Sequence, residues 1–105
     1  GLSMKIKRIK KLKVNCYLFD VKWNPKHNGG SVEYSSKIIE IGTDGSPDNE
    51  LFMVICHELW EICAIEMHCH YTRPDIEDDY IFMYDHRQHE TVVNMFAGVV
   101  SLFIE

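Results

Sequence analysis

The chain has 105 residues, 46% of them hydrophobic and 26% charged, which is the profile of one ordinary globular domain and excludes a fibrous or disordered chain. Its net charge of −5 hides an asymmetry: residues 1–14 carry Lys5, Lys7, Arg8, Lys10, Lys11 and Lys13 with no acid, and the rest holds 5 basic and 16 acidic residues. An acidic body argues against nucleic acid as a main partner, and Met4 and Ile6 alternating with lysines reads as a lysine-protected edge strand.

No apolar run approaches the roughly 20 residues that span a bilayer, and the stretch 14–19 is too short and polar for a signal-peptide core. Cys16, Cys56, Cys63 and Cys69 show no CxxC pair and no framework spacing, so they read as reduced thiols and the expected setting is soluble and cytoplasmic. Gly1-Leu2-Ser3 before Met4 reads as an expression remnant, leaving one domain over 4–105.

In chain order, 13–23 is rich in strand formers and closes at Asn24-Pro25, a half-exposed strand followed by a breaker. A loop at 26–30 leads to short strands at 31–34 and 37–42 about a Ser35-Ser36 turn. These elements predict a small, mostly antiparallel sheet. Ser46 then suits an N-cap, Pro47 the first helical position, and Asp48 and Glu50 the positive end of the dipole. This helix runs to about Met67, with Leu51, Val54, Ile55, Leu59, Ile62 and Ile65 as its core stripe. A polar stretch at 71–79 ends it, and 80–84 is expected to be extended and packed. Asp85 caps a second helix, Gln88 completes a capping box, and Val92, Val93, Phe96, Val100 and Phe103 carry that helix to the end.

The stretch Cys56-His57-Glu58-Leu59-Trp60-Glu61-Ile62 carries the chemistry. On a helix His57 and Glu61 project from one face, about 6 Å apart along the axis, so one cation bridges them. Glu58 lies off that line, placed to reach a metal-bound water. This is the HExxH layout of a water-activating metal helix with its second histidine replaced by glutamate.

Strands, then His57-Glu58-x-x-Glu61 on a helix, then a second helix opened by a histidine, resembles the zincin metallopeptidases. Within them it is similar to the gluzincin-type, very small HExxE proteins of bacteria and their phages. The resemblance covers the chain from about Lys13 onward. It implies an α+β zincin-like fold in which the sheet packs on the metal helix and a C-terminal helix, with the strand at 37–42 as the edge of a substrate cleft. A third ligand is then needed from the last helix. On a helical wheel the apolar face of that helix centres near Phe96 and Val100, with His89 close to its middle, His86 near its edge and Glu90 further out. A ligand at the cleft mouth favours His86 first, His89 second and Glu90 third. His57, Glu61 and His86 make a two-histidine, one-carboxylate set suited to one zinc ion per chain; Glu90 in place of His86 makes a harder site, less selective for zinc.

The blander readings stand beside these. His57 and Glu61 also fit an ordinary i,i+4 polar pair, and His89 a satisfied core histidine. His68 lies on the Glu61 face about 10 Å further along, too far to share a metal, so His68-Cys69-His70 reads as a helix end. The acidic run at 75–79 lacks the glycine and spacing of a calcium loop and reads as solvated. Cys56 and Cys63 share a face and read as core, and His27 lies in a loop without a signal.

The sequence therefore predicts a zinc-dependent peptidase, a hydrolase in which the metal polarises the carbonyl and Glu58 acts as general base. The alternative is an inactive zincin-fold metal-binding module that recognises a peptide or protein along the edge strand 37–42 by strand addition. Neither nucleic acid nor membrane is expected as a partner, and the oligomeric state is left open.

Overall fold

The computed structural model describes residues 4–72 and 80–105. Leu12 and Val14 are buried while Lys11 and Lys13 face solvent, and this period-two pattern lays down β1 (Lys11–Val14). Asn15, at φ 56°, turns the chain into β2 (Tyr17–Asn24), which pairs antiparallel with β1 and sets Leu12 opposite Phe19. The stretch 13–23, expected as one strand, is thus part of a hairpin. Asn tolerates the left-handed turn position, but Asn15-Cys16 lacks the Asn-Gly pattern that marks such turns in a sequence.

The hairpin about Ser35-Ser36 forms from β3 (Gly30–Glu33) and β4 (Ile38–Gly42). The sheet order is β1-β2-β4-β3, with β4 parallel to β2 and antiparallel to β3. The sheet is mostly antiparallel, as expected, with one parallel pair at its centre; one expectation is corrected, since the segment 37–42 is interior and the edge beside the helix is β3. The cause is a crossing loop. A Cβ on Gly42 would lie 2.5 Å from His27 O and 2.6 Å from Asn28 Cα, so only glycine lets the loop after β2 pass over the end of β4. Ile39 and Ile41, each 1% exposed, suit an interior strand.

Helix α1 (Asp48–Glu66) lies on the inner face of this sheet. Its N-cap is the extended Pro47 and not Ser46, so the helix starts one residue later than expected. The Asp48 carboxylate accepts the Ile6 N–H at 2.8 Å, which fastens the N-terminal arm to the first turn. Leu51, Ile55, Leu59 and Ile62 are each at most 1% exposed and pack in one core with Phe19, Val21, Ile39 and Ile41. The helix stops in a Schellman motif: His68 N–H donates to Ile65 O at 3.0 Å and Cys69 N–H to Ala64 O at 2.8 Å, with His68 left-handed at φ 58°.

Strands β5 (His70–Thr72) and β6 (Tyr80–Phe82) form a two-stranded antiparallel ribbon. The run 80–84 is partly extended, as expected, but it is not packed: its side chains are 39% to 60% exposed. Helix α2 (His86–Ser101) opens with the expected reciprocal capping box between Asp85 and Gln88, and ends before the chain does. Phe103 then folds back, fully buried, with its ring 6.2 Å from that of Trp23. The acidic run at 75–79 lies outside the described residues.

The expected zincin-like fold class is corrected. The domain is a small mixed α+β structure with a four-stranded sheet and two helices, but the metal site implied by a zincin fold is missing: among the described residues no group of three or more His, Cys, Asp or Glu side chains is placed to hold a metal ion. No helix among the described residues is long and apolar enough to cross a membrane.

Candidate binding groove

Helix α1 carries more apolar side chains than one stripe uses. Beside the sheet-facing line, Phe52, Met53, Cys56 and Trp60 lie toward a second face, where with Phe82 of β6 and Phe96 of α2 they line a pocket of about 510 Å³. The Trp60 and Phe96 rings meet edge to face at 5.2 Å. His57 and Glu61 complete the lining. A second hollow of about 320 Å³ lies between Gly29 and Gly30 on one side and Met53, Val54, His57 and Glu58 on the other. The two share Met53 and His57 and so lie side by side along α1, one toward the start of β3 and the other toward the ribbon; together they are called the groove.

Glu58, off the line of His57 and Glu61, lies on the buried side of α1. Leu51, Ile55, Glu58 and Ile62 follow at steps of four, three and four, the spacing of one helix face, so Glu58 occupies the buried line and is only 7% exposed. Gly30 permits this: a Cβ there would fall 2.7 Å from Val54 Cγ1 and 3.2 Å from Glu58 Oε1. Burial pushes the Glu58 carboxyl above the ordinary carboxylate range, His57 beside it opposes the shift, and Glu61 adds to it.

His57 is exposed and shares the larger pocket with Glu61. The histidine that reaches Glu61 comes from β5, not from the last helix: His70 Nε2 lies 3.6 Å from Glu61 Oε1. That nitrogen is buried without a hydrogen bond among the described residues, and its ring packs at 4.3 Å on Tyr80 and 5.3 Å on Phe82.

His86, His89 and Glu90 face away. The buried line of α2 runs through Val92 and Val99, and Gln88 turns inward to donate to Met67 O at 3.4 Å. His86 is left 84% exposed, 3.6 Å from Glu90 Oε1, and His89 is exposed and stacked on Tyr84 at 5.9 Å. The buried face of α2 centres on Val92 and Val99 and not on Phe96 and Val100, and this difference turns the whole set toward solvent. His57 and Glu61 are thus brought together without a third ligand, and the zinc ion, the zinc peptidase and the metal-binding module are corrected together: no metal-holding group exists among the described residues.

No family model, curated protein or solved structure matches this chain. The resemblance to the HExxE zincins is corrected: a helix also produces the His-Glu-x-x-Glu spacing for ordinary polar residues, and without a metal-holding group among the described residues the hydrolase and phage-related readings have no support.

The groove holds no activated thiol either. Burial raises the Cys56 thiol above its usual value and drives Cys63 up to about 11, and all four cysteines are unpaired. What reasoning from the motif missed were Phe52, Met53, Trp60, Phe82 and Phe96. The signal was available in α1, whose apolar residues overfill a single stripe.

Proposed function

We propose that the chain is a peptide-recognition module that takes an extended segment of a partner protein in the groove along α1. The observation that carries this reading is the open edge of β3 beside an apolar pocket of about 510 Å³. Strand addition at a sheet edge supplies affinity through the main chain, and a pocket for one side chain supplies selectivity. The edge is the right one for this: Gly42 N–H donates to Gly29 O at 2.7 Å, and in the antiparallel register of β3 with β4 that pairing turns the main-chain groups of Gly30 and Val32 outward. Strand addition, first expected along 37–42, is proposed along β3 instead, because β4 is interior and β3 is the edge strand. Four unpaired cysteines support a reducing, cytoplasmic setting.

The test is a display library of random nine-residue peptides panned against the purified protein. Enriched sequences carry an aromatic or large aliphatic anchor. Phe96→Ala, which opens the pocket, and Val32→Pro, which removes an N–H not used by the sheet, each weaken their binding by roughly tenfold or more. Binders indifferent to both substitutions, or no binder at all, refute the reading.

A further inference from the structure

The carboxylates of the groove say what flanks the anchor. Glu58 and Glu61 line its two hollows, and among the described residues no lysine or arginine does. They are three residues apart on α1, about 4.5 Å along the axis, and Glu61 acts on the Glu58 carboxyl as a like charge. Glu58 is 7% exposed and, among the described residues, accepts no hydrogen bond and pairs with no lysine or arginine. It borders the hollow beside Gly30, where the missing side chain leaves the way to Oε1 open.

A largely buried carboxylate is only partly satisfied by the solvent that reaches it through such a hollow, and a cation or donors entering there satisfy it better. Glu61 has His70 at 3.6 Å, beyond a good hydrogen bond, and among the described residues His57 is the only other basic group lining the groove. An acidic segment entering here meets two like charges, whereas a basic one satisfies an acid the fold leaves open.

We propose that the partner segment is basic and apolar: an extended stretch whose aromatic or large aliphatic side chain fills the pocket while a neighbouring lysine or arginine is set against Glu58 and Glu61. This rests on the peptide-recognition reading and narrows it to one partner chemistry.

The experiment takes one peptide selected as above and synthesises it with lysine, norleucine or glutamate beside the anchor, measuring affinity by fluorescence polarisation. The lysine form binds roughly tenfold tighter than the norleucine form, the glutamate form binds weakest, and Glu58→Gln or Glu61→Gln erases the lysine preference. Equal affinity of the three forms, with binding still lost when the anchor is removed, overturns the basic-partner inference and leaves peptide recognition standing. A selection without Phe96-dependent and Val32-dependent binders overturns both.

Discussion

Glu58 is an acid placed by helix geometry on a line otherwise made of Leu51, Ile55 and Ile62. Its raised carboxyl pKa means that the folded state favours the protonated form. The associated stability is fully present below the ordinary value of 4.5 and is lost as pH rises through the folded value. Glu58→Gln removes the ionisation and should therefore raise Tm at neutral pH. The gain should shrink as pH falls below the ordinary carboxylate value. Thermal melts at a series of pH values read it directly; a variant less stable than wild type at neutral pH would mean that Glu58 is held charged by a favourable partner.

At the scale of the element, α1 ends as it does because of one residue in an unusual conformation. His68 takes the position after the helix cap that glycine occupies in most Schellman motifs, at φ 58°. A left-handed L-residue costs roughly 1–2 kcal/mol relative to glycine's freedom. The loss of unfolded-state restriction offsets part of this, so His68→Gly is expected to stabilise by about 0.5–1 kcal/mol in urea titration, while His68→Ala gives nothing. The motif also turns the chain so that His70 returns toward Glu61 and the ribbon closes one end of the groove. A helix running one turn further would carry His70 away from both.

For the whole molecule, the two chain ends hold one another. Ile6 bridges to Ile104, Lys7 N–H donates to Phe103 O at 2.7 Å, and Glu105 N–H donates to Lys5 O at 3.1 Å. Phe103 is fully buried between these contacts and Trp23. Phe103→Ala should cost about 3–5 kcal/mol, a large part of the roughly 5–15 kcal/mol that holds a small domain together. The neighbouring Leu102→Ala, at a side chain 50% exposed, should change stability by less than ~0.5 kcal/mol. Chemical denaturation of both variants separates a docked C-terminus from a frayed one, for which the two costs would be equally small.

Local chemistry was legible in the sequence wherever one residue decides its own neighbourhood. Asp85 and Gln88 announce the start of α2, Leu51, Ile55, Leu59 and Ile62 announce the buried stripe of α1, and Ser35-Ser36 announces the β3–β4 hairpin. The tertiary structure alone decided what lies beside what. Placing β4 between β2 and β3 depends on His27 and Asn28 crossing Gly42, a contact between residues far apart in the chain. The packing of α2 on Val92 and Val99 turns His86 and Glu90 outward, toward each other, and leaves His57 and Glu61 to face a groove instead of a metal. Spacing along a helix fixes which side chains share a face. Which partner that face meets depends on how sheet, ribbon and second helix pack, and those long-range contacts leave no local pattern in the sequence.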